Sequence, residues 1–168
     1  MHPEKGSFQR DFARAQAFVE QGLEEGVSIS EFPTTVEAAR AAHEAGVGVV
    51  MGAPNVVRGG SHSGNVLALG LAREGVLDIL SSDYVPSSLL HSAFLLHQEL
   101  GRPLPEALAT VTSTPAQHLQ MGDRGEIKPG KLADLAAWKR DVLTDPTALL
   151  DCAFVMKDGY VYATETVE

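Results

Sequence analysis

The apolar run Val47, Val49, Val50, Met51 constrains the fold more than any other feature of the chain. It is too short and too rich in β-branched residues for a helix, and its near-unbroken apolarity is what a strand buried on both faces requires. Strands of that kind belong to parallel sheets flanked by helices, and the neighbouring sequence supplies the helices. Upstream, Phe8, Phe12, Ala15, Val19 and Leu23 share one face of a helix that Gly26 can terminate, and Val27 to Phe32 reads as a short strand. Thr34 with Glu37 has capping-box spacing and opens an alanine-rich helix through Ala45, closed by Gly46. Downstream, a loop of small and polar residues from Gly52 to Gly64 leads into a helix predicted from Asn65 to Glu74, stopped by Gly75. A third strand, Leu77 to Ser81, follows. Pro86 suits the first turn of a helix that ends before Gly101, and Pro105 starts another. This alternation implies βα units, parallel strands and right-handed crossovers.

The character changes after Thr114 and Pro115, which suit the N-cap and first residue of a short helix. Gly122, Gly125, Pro129 and Gly130 punctuate a turn-rich stretch, and Leu132 to Trp138 reads as a strand. Asp158 and Gly159 separate Phe154–Lys157 from Tyr160–Tyr162, the signal of a tight hairpin, so the last part is expected to be antiparallel. At 168 residues the chain is too short for a complete (β/α)8 barrel, which takes about 250. The charge balance, 13 Lys+Arg against 22 Asp+Glu, argues against general affinity for nucleic acid or anionic lipid. A phosphorylated ligand would need a local cationic pocket. The single cysteine, Cys152, can form neither an internal disulfide nor a thiolate metal cluster, and no apolar run reaches the roughly 20 residues of a membrane span. A cytoplasmic protein is the expectation.

Parallel α/β proteins place ligands at the carboxyl ends of their strands, so the residues just after each apolar run carry the functional reading. After the second strand come Arg58, Gly59, Gly60, Ser61, His62, Ser63 and Asn65, ahead of a helix start whose free amide groups favour anions. Glycines let backbone approach a phosphate closely, and Arg58 can pair with it in a bidentate fashion. The stretch reads either as a phosphate site or as an ordinary loop; it is not a Walker loop, because the lysine and hydroxyl that end that pattern are missing. Asp83 follows the third strand, where a carboxylate binds a metal or takes a proton from water, or else serves as a helix N-cap. Glu31 has a similar position and the same two readings. His43, His91, His97 and His118 fall on predicted helices and read as packing or surface residues. The absence of any His-x-His or His-Glu-x-x-His pair weighs against this chain holding a metal tightly by itself.

The stretch from Gly125 to Leu135, Gly-Glu-Ile-Lys-Pro-Gly-Lys-Leu-Ala-Asp-Leu, resembles the G-x-I-x-x-G-K-x-A-D-L segment near the carboxyl end of amidohydrolase-superfamily enzymes. Thr112-Ser113-Thr114-Pro115-Ala116 is similar to that superfamily's T-x-N-P-A helix start, with Thr114 where asparagine is common, and Asp83 falls where its aspartate follows the eighth barrel strand. Glu31 to Thr35, Met51 to Asn55, Arg58 to Asn65 and Leu80 to Pro86 resemble the phosphonate-utilisation branch, metal-dependent hydrolases that release pyrophosphate from a ribosyl triphosphate. The resemblance implies an α/β fold, a partial (β/α)8 barrel over residues 1–120 that supplies the last three βα units, followed over residues 121–168 by a small antiparallel β segment of a composite sandwich. It implies Asp83 as the catalytic residue and a metal ligand, with Arg58, Gly59, Gly60, Ser61, His62, Ser63 and Asn65 on the substrate phosphates; Glu31 and His62 are further candidate metal ligands by position. The implied cofactor is a divalent metal, zinc or manganese, or none in a chain this short. Members of the branch are about twice as long, and the half with the paired histidines has no counterpart in Met1 to Gly26. A partial barrel exposes sheet edges, so self-association or a missing amino-terminal half is expected as partner, beside a phosphorylated small molecule and with no nucleic acid or membrane. The two competing readings are a catalytically silent remnant that binds a phosphorylated ligand or a partner subunit, and a cyclic-amide hydrolase of the same superfamily.

Overall fold

Three helices of the chain end in the same glycine-valine turn, and each turn delivers the chain into a strand of one parallel sheet. The computed structural model describes residues 5–59 and 66–164. Helix α1 (Lys5–Glu24) ends at Gly26, with Val27 N–H bonded to the Gly22 carbonyl, and leads into β1 (Ile29–Glu31). Helix α2 (Val36–Glu44) ends at Gly46, with Val47 N–H on the Ala42 carbonyl, and leads into β2 (Gly48–Gly52). After α3 (Ala53–Arg58), helix α4 (Ala68–Arg73) ends at Gly75, with Val76 N–H on the Leu71 carbonyl, and leads into β3 (Ile79–Ser81). The glycines take φ of +82°, +77° and +74°, the left-handed conformation that lets the following amide turn back onto the last helical carbonyls. The pairing is parallel throughout, in the order β1-β2-β3, with Glu31 opposite Val50 and Gly52 opposite Ser81.

As the unbroken apolar run requires, every residue of the central strand β2 is buried. Val49 and Met51 join Ala39, Ala42, Val56, Leu71, Leu80 and Leu96 in one core, to which α5 (Ser88–Leu100) contributes Leu96. The amino-terminal ends of the strands are tied down by histidines in structural roles. His43 pairs with Asp78 at 2.9 Å while the same carboxylate accepts Val49 N–H, and the His118 ring lies against Gly48, where any Cβ would meet it at 3.0 Å. His97 sits at the end of α5 with Nδ1 2.7 Å from the Arg102 carbonyl.

Helices α6 (Leu104–Ala109) and α7 (Ser113–His118) lead to a second sheet, β4 (Leu135–Trp138), β5 (Cys152–Lys157) and β6 (Tyr160–Thr164), all antiparallel. Asp158 and Gly159 form the hairpin turn with φ of +52° and +79°, the two left-handed residues a type I′ turn demands. Between α7 and β4, a half-exposed cluster of charges holds the turns: the Arg124 guanidinium beside Asp123 keeps its carboxyl below the usual range, and hydrogen bonds from Lys128 and Lys131 do the same for Glu126.

Several element boundaries depart from the sequence expectation. The cap of α2 is Thr35, whose hydroxyl accepts Ala38 N–H at 3.1 Å, so Thr34 lies one residue outside. Residues 53–58, expected as loop, form α3, which Pro54 can start without losing a hydrogen bond and which Val56 anchors in the core. Helix α4 begins at Ala68 rather than Asn65, α7 takes Thr112 rather than Thr114 as its N-cap residue, and β4 starts at Leu135 rather than Leu132.

Candidate functional site

Two residues without the freedom of glycine hold left-handed backbone at the carboxyl ends of the parallel strands: Phe32, just past β1, with φ +50°, and Asp83, two residues past β3, with φ +49°. Such conformations cost about 1–3 kcal/mol each, persist only where the surroundings impose them, and cluster at functional sites. Here both point their side chains at the end of the strand between them. A Cβ built on Gly52 would stand 3.2 Å from the Phe32 ring and 3.3 Å from Asp83 Oδ2. Gly52 has an ordinary φ of −71°, so glycine is required there for space and not for backbone geometry. The missing side chain opens the centre of the rim to the Asp83 carboxylate, which is exposed.

From the same rim position Gly52 passes directly into α3, whose last residue is Arg58. Arg58 turns back toward the third strand. Its Nη1 donates to the Tyr84 hydroxyl at 2.7 Å and its guanidinium lies over the Tyr84 ring, 5.5 Å from the centroid. Tyr84 is the residue after Asp83, so the third strand's end carries both the carboxylate and the group that holds the cation. Asn55, in the middle of α3, accepts Ala68 N–H with Oδ1 at 3.0 Å and so ties the start of α4 back to α3. Glu31 ends β1 on the same rim, beside Val50, and is exposed.

The structure therefore brings Asp83, Arg58 and Glu31 to one end of the sheet. Arg58 and Gly59 are the described part of the expected phosphate loop, Gly59 with φ +66° closing α3; Gly60, Ser61, His62, Ser63 and Asn65 lie outside the described residues. Tyr84, Phe32 and Gly52 carried no functional reading in the sequence. The one available signal was positional, since all three stand at strand ends.

A divalent metal is the cofactor the sequence resemblance implies. Among the described residues there is no group of three or more His, Cys, Asp or Glu side chains placed to hold one. Structural and catalytic zinc sites take three or four such ligands, so Asp83 and Glu31 do not form a site without further donors. A cavity of about 150 Å³ lies elsewhere, against α7, lined by Gln117, Gln120, Arg124 and Lys131. Its cations pair with neighbouring carboxylates, Arg124 with Asp123 and Lys131 with Glu126.

Comparison with known proteins identifies the family of this fold. Residues 18–162 match the amidohydrolase family. The chain is 54% identical over 121 residues to the alpha-D-ribose 1-methylphosphonate 5-triphosphate diphosphatase of Escherichia coli strain K12, an alignment covering 71% of this chain and 32% of that protein. Among solved structures, ochratoxinase from A. niger superposes with a TM-score of 0.64 at 16% identity, covering 89% of this chain and 40% of that one. A Xaa-Pro dipeptidase with bound methionine gives 0.61 at 23% identity, covering 86% and 42%. The chain thus spans about a third of the curated relative and under half of the solved structures. With the family match running through both sheets, the chain belongs to the amidohydrolase family.

Proposed function

We propose that this chain is the phosphate-binding, carboxylate-bearing portion of a hydrolase that cleaves a ribosyl triphosphate to the monophosphate and pyrophosphate in phosphonate catabolism. The observation that carries the reading is the convergence of Asp83 and Arg58 on one end of the parallel sheet, where Gly52 leaves room for the Asp83 carboxylate. The 54% identity to a diphosphatase of that chemistry supports the substrate class. In this reading residues 1–120 supply the last three βα units of a (β/α)8 barrel and residues 121–168 the tail of a small β-sandwich. Arg58 and the loop through Gly59, Gly60, Ser61, His62, Ser63 and Asn65 hold the phosphate chain, where a guanidinium and backbone amides offset charge on the transferring group. The Asp83 carboxylate accepts a proton from the attacking water. Zinc or manganese enters the reading only with donors additional to Asp83 and Glu31, His62 being the candidate this chain offers.

Calorimetric titration with inorganic tripolyphosphate tests the site directly. Arg58→Ala should lose about 1.5–3 kcal/mol, a weakening of roughly 10- to 150-fold, as expected for a hydrogen bond to a charged group. Unchanged affinity would remove Arg58 from the phosphate site.

The same reading expects a partner. None of the side chains described in β4, β5 and β6 is fully buried, and Tyr160, Val161 and Tyr162 on the open edge strand are 74%, 54% and 70% exposed. An open apolar edge favours pairing with another chain, so light scattering should give a mass above the 17.9 kDa monomer. A monodisperse monomer at high concentration would show that the sheet is stable without a partner.

A further inference from the structure

We propose that Phe32 is a specificity-determining residue of the strand-end site: its exposed ring is the platform on which the sugar of a ribosyl triphosphate lies, so that the chain prefers a sugar-linked triphosphate to the bare phosphate chain. The inference rests on the phosphate-binding reading given above and names the side chain that recognises the rest of the substrate. Phe32 carries two costs that a packing residue avoids. Its φ of +50° belongs to the left-handed region, which bulky side chains disfavour and glycine occupies freely. It also remains 40% exposed, whereas Val49 and Leu71 of the core are fully buried. A large apolar ring held in strained backbone and left partly in water is what a ligand-facing position at a strand end requires.

The ring is nonetheless well placed. Phe32 N–H donates to the Val50 carbonyl at 3.0 Å, which extends the parallel ladder one residue past β1. The ring edge with Cε1 and Cζ lies over Gly52, 3.2 and 3.6 Å from where a Cβ would stand, and Asp83 Oδ2 is 3.3 Å from the same point. An apolar ring and a carboxylate therefore border one place on the rim. That pair suits a furanose, whose C–H face leaves water favourably against an aromatic ring while its hydroxyls stay beside a polar group. The order along the sheet fits as well. Phe32 follows β1, Asp83 follows β3 and reaches the end of β2, and Arg58 is turned toward the third strand by its bond to Tyr84. With the sugar on Phe32, the phosphates run past Asp83 toward Arg58 and the loop after it. The bond between the first and second phosphates, the one that yields monophosphate and pyrophosphate, then falls beside the proton acceptor.

The test is calorimetric titration of the full chain with inorganic tripolyphosphate and with ribose 5-triphosphate, probes that differ by the sugar, with thermal melting as the control for folding. The unmodified chain should bind ribose 5-triphosphate about two- to tenfold more tightly, the range of one aromatic contact. Phe32→Leu keeps the apolar bulk and lacks the flat face; it should melt at the same temperature and bring ribose 5-triphosphate down to the affinity of tripolyphosphate. Phe32→Tyr keeps the ring and should retain the preference. Equal affinities in the unmodified chain, a comparison that needs no variant to fold, or a preference that survives Phe32→Leu overturns the platform and leaves the phosphate site standing. Binding of ribose 5-triphosphate alone, lost in Phe32→Leu, supports the platform and removes the phosphate site. Binding of neither probe overturns both.

Discussion

Gly125→Ala should lower the stability of the chain by about 2–4 kcal/mol, whereas Gly130→Ala should cost about 1 kcal/mol. Both glycines have φ +86°, so an alanine at either position incurs the same left-handed backbone cost. They differ in what surrounds them. A Cβ on Gly125 would lie 2.9 Å from the Ala116 Cβ, 3.0 Å from the Ser113 Cα and 3.0 Å from the Thr112 carbonyl oxygen, while nothing stands within 4 Å of one on Gly130. Two of those three neighbours are backbone, and the third is a methyl with no rotamer to change, so the clash is relieved only by moving α7 away from the turn. The difference between the two variants isolates the packing of the turn on α7 from the backbone cost. In thermal melts, a loss of about 3 kcal/mol in a chain of this length corresponds to a fall of roughly 6–12 °C. Equal losses at the two positions would show that the turn does not bear on the helix. The motif segment begins with glycine because the chain there packs against the first turn of α7 at van der Waals contact.

Leu71→Ala should be as severe, with an expected loss of about 3–5 kcal/mol. Leu71 is fully buried and belongs to the core made by Val49, Met51, Val56, Leu80 and Leu96, drawn from β2, α3, β3 and α5. Removing its branched end forfeits burial and leaves a cavity, because the surrounding strand and helices are fixed by hydrogen bonds and close only partly around it. Its carbonyl accepts Val76 N–H at 3.0 Å in the turn into β3, so the residue couples the core to the strand that presents Asp83. Urea unfolding measures the change; a shift in midpoint at constant slope is the expected form. A loss below about 1 kcal/mol would mean that the layer between sheet and helices is loosely packed, and the defined placement of the rim side chains would lose its basis.

Much of the architecture was legible because its causes are local. Gly26, Gly46 and Gly75 each stop a helix by adopting a conformation that disfavours other residues, and the apolar run from Val47 to Met51 announces a central strand wherever it is placed. Asp158 and Gly159 specify their hairpin within four residues. The helix over 53–58 is not legible in the sequence because six residues are below the length at which helical periodicity shows or an isolated helix is stable. It exists because Val56 is held in the core. The histidines were readable as structural, but their partners Asp78, Ser28 and Arg102 were not, since a sequence shows a side chain's chemistry and not what it meets.

What the sequence by itself determined is the alternation of three parallel strands with helices, the final hairpin, and the residues that end or follow the strands, Glu31, Arg58 and Asp83, because strand termini follow from apolar runs and turn residues a few positions apart. Only the tertiary structure decided that Phe32 and Asp83 close over Gly52 and that Tyr84 holds Arg58. Those contacts join segments 20 to 31 residues apart in the chain, and hydrogen-bonded pairing of three parallel strands brings them to the same edge.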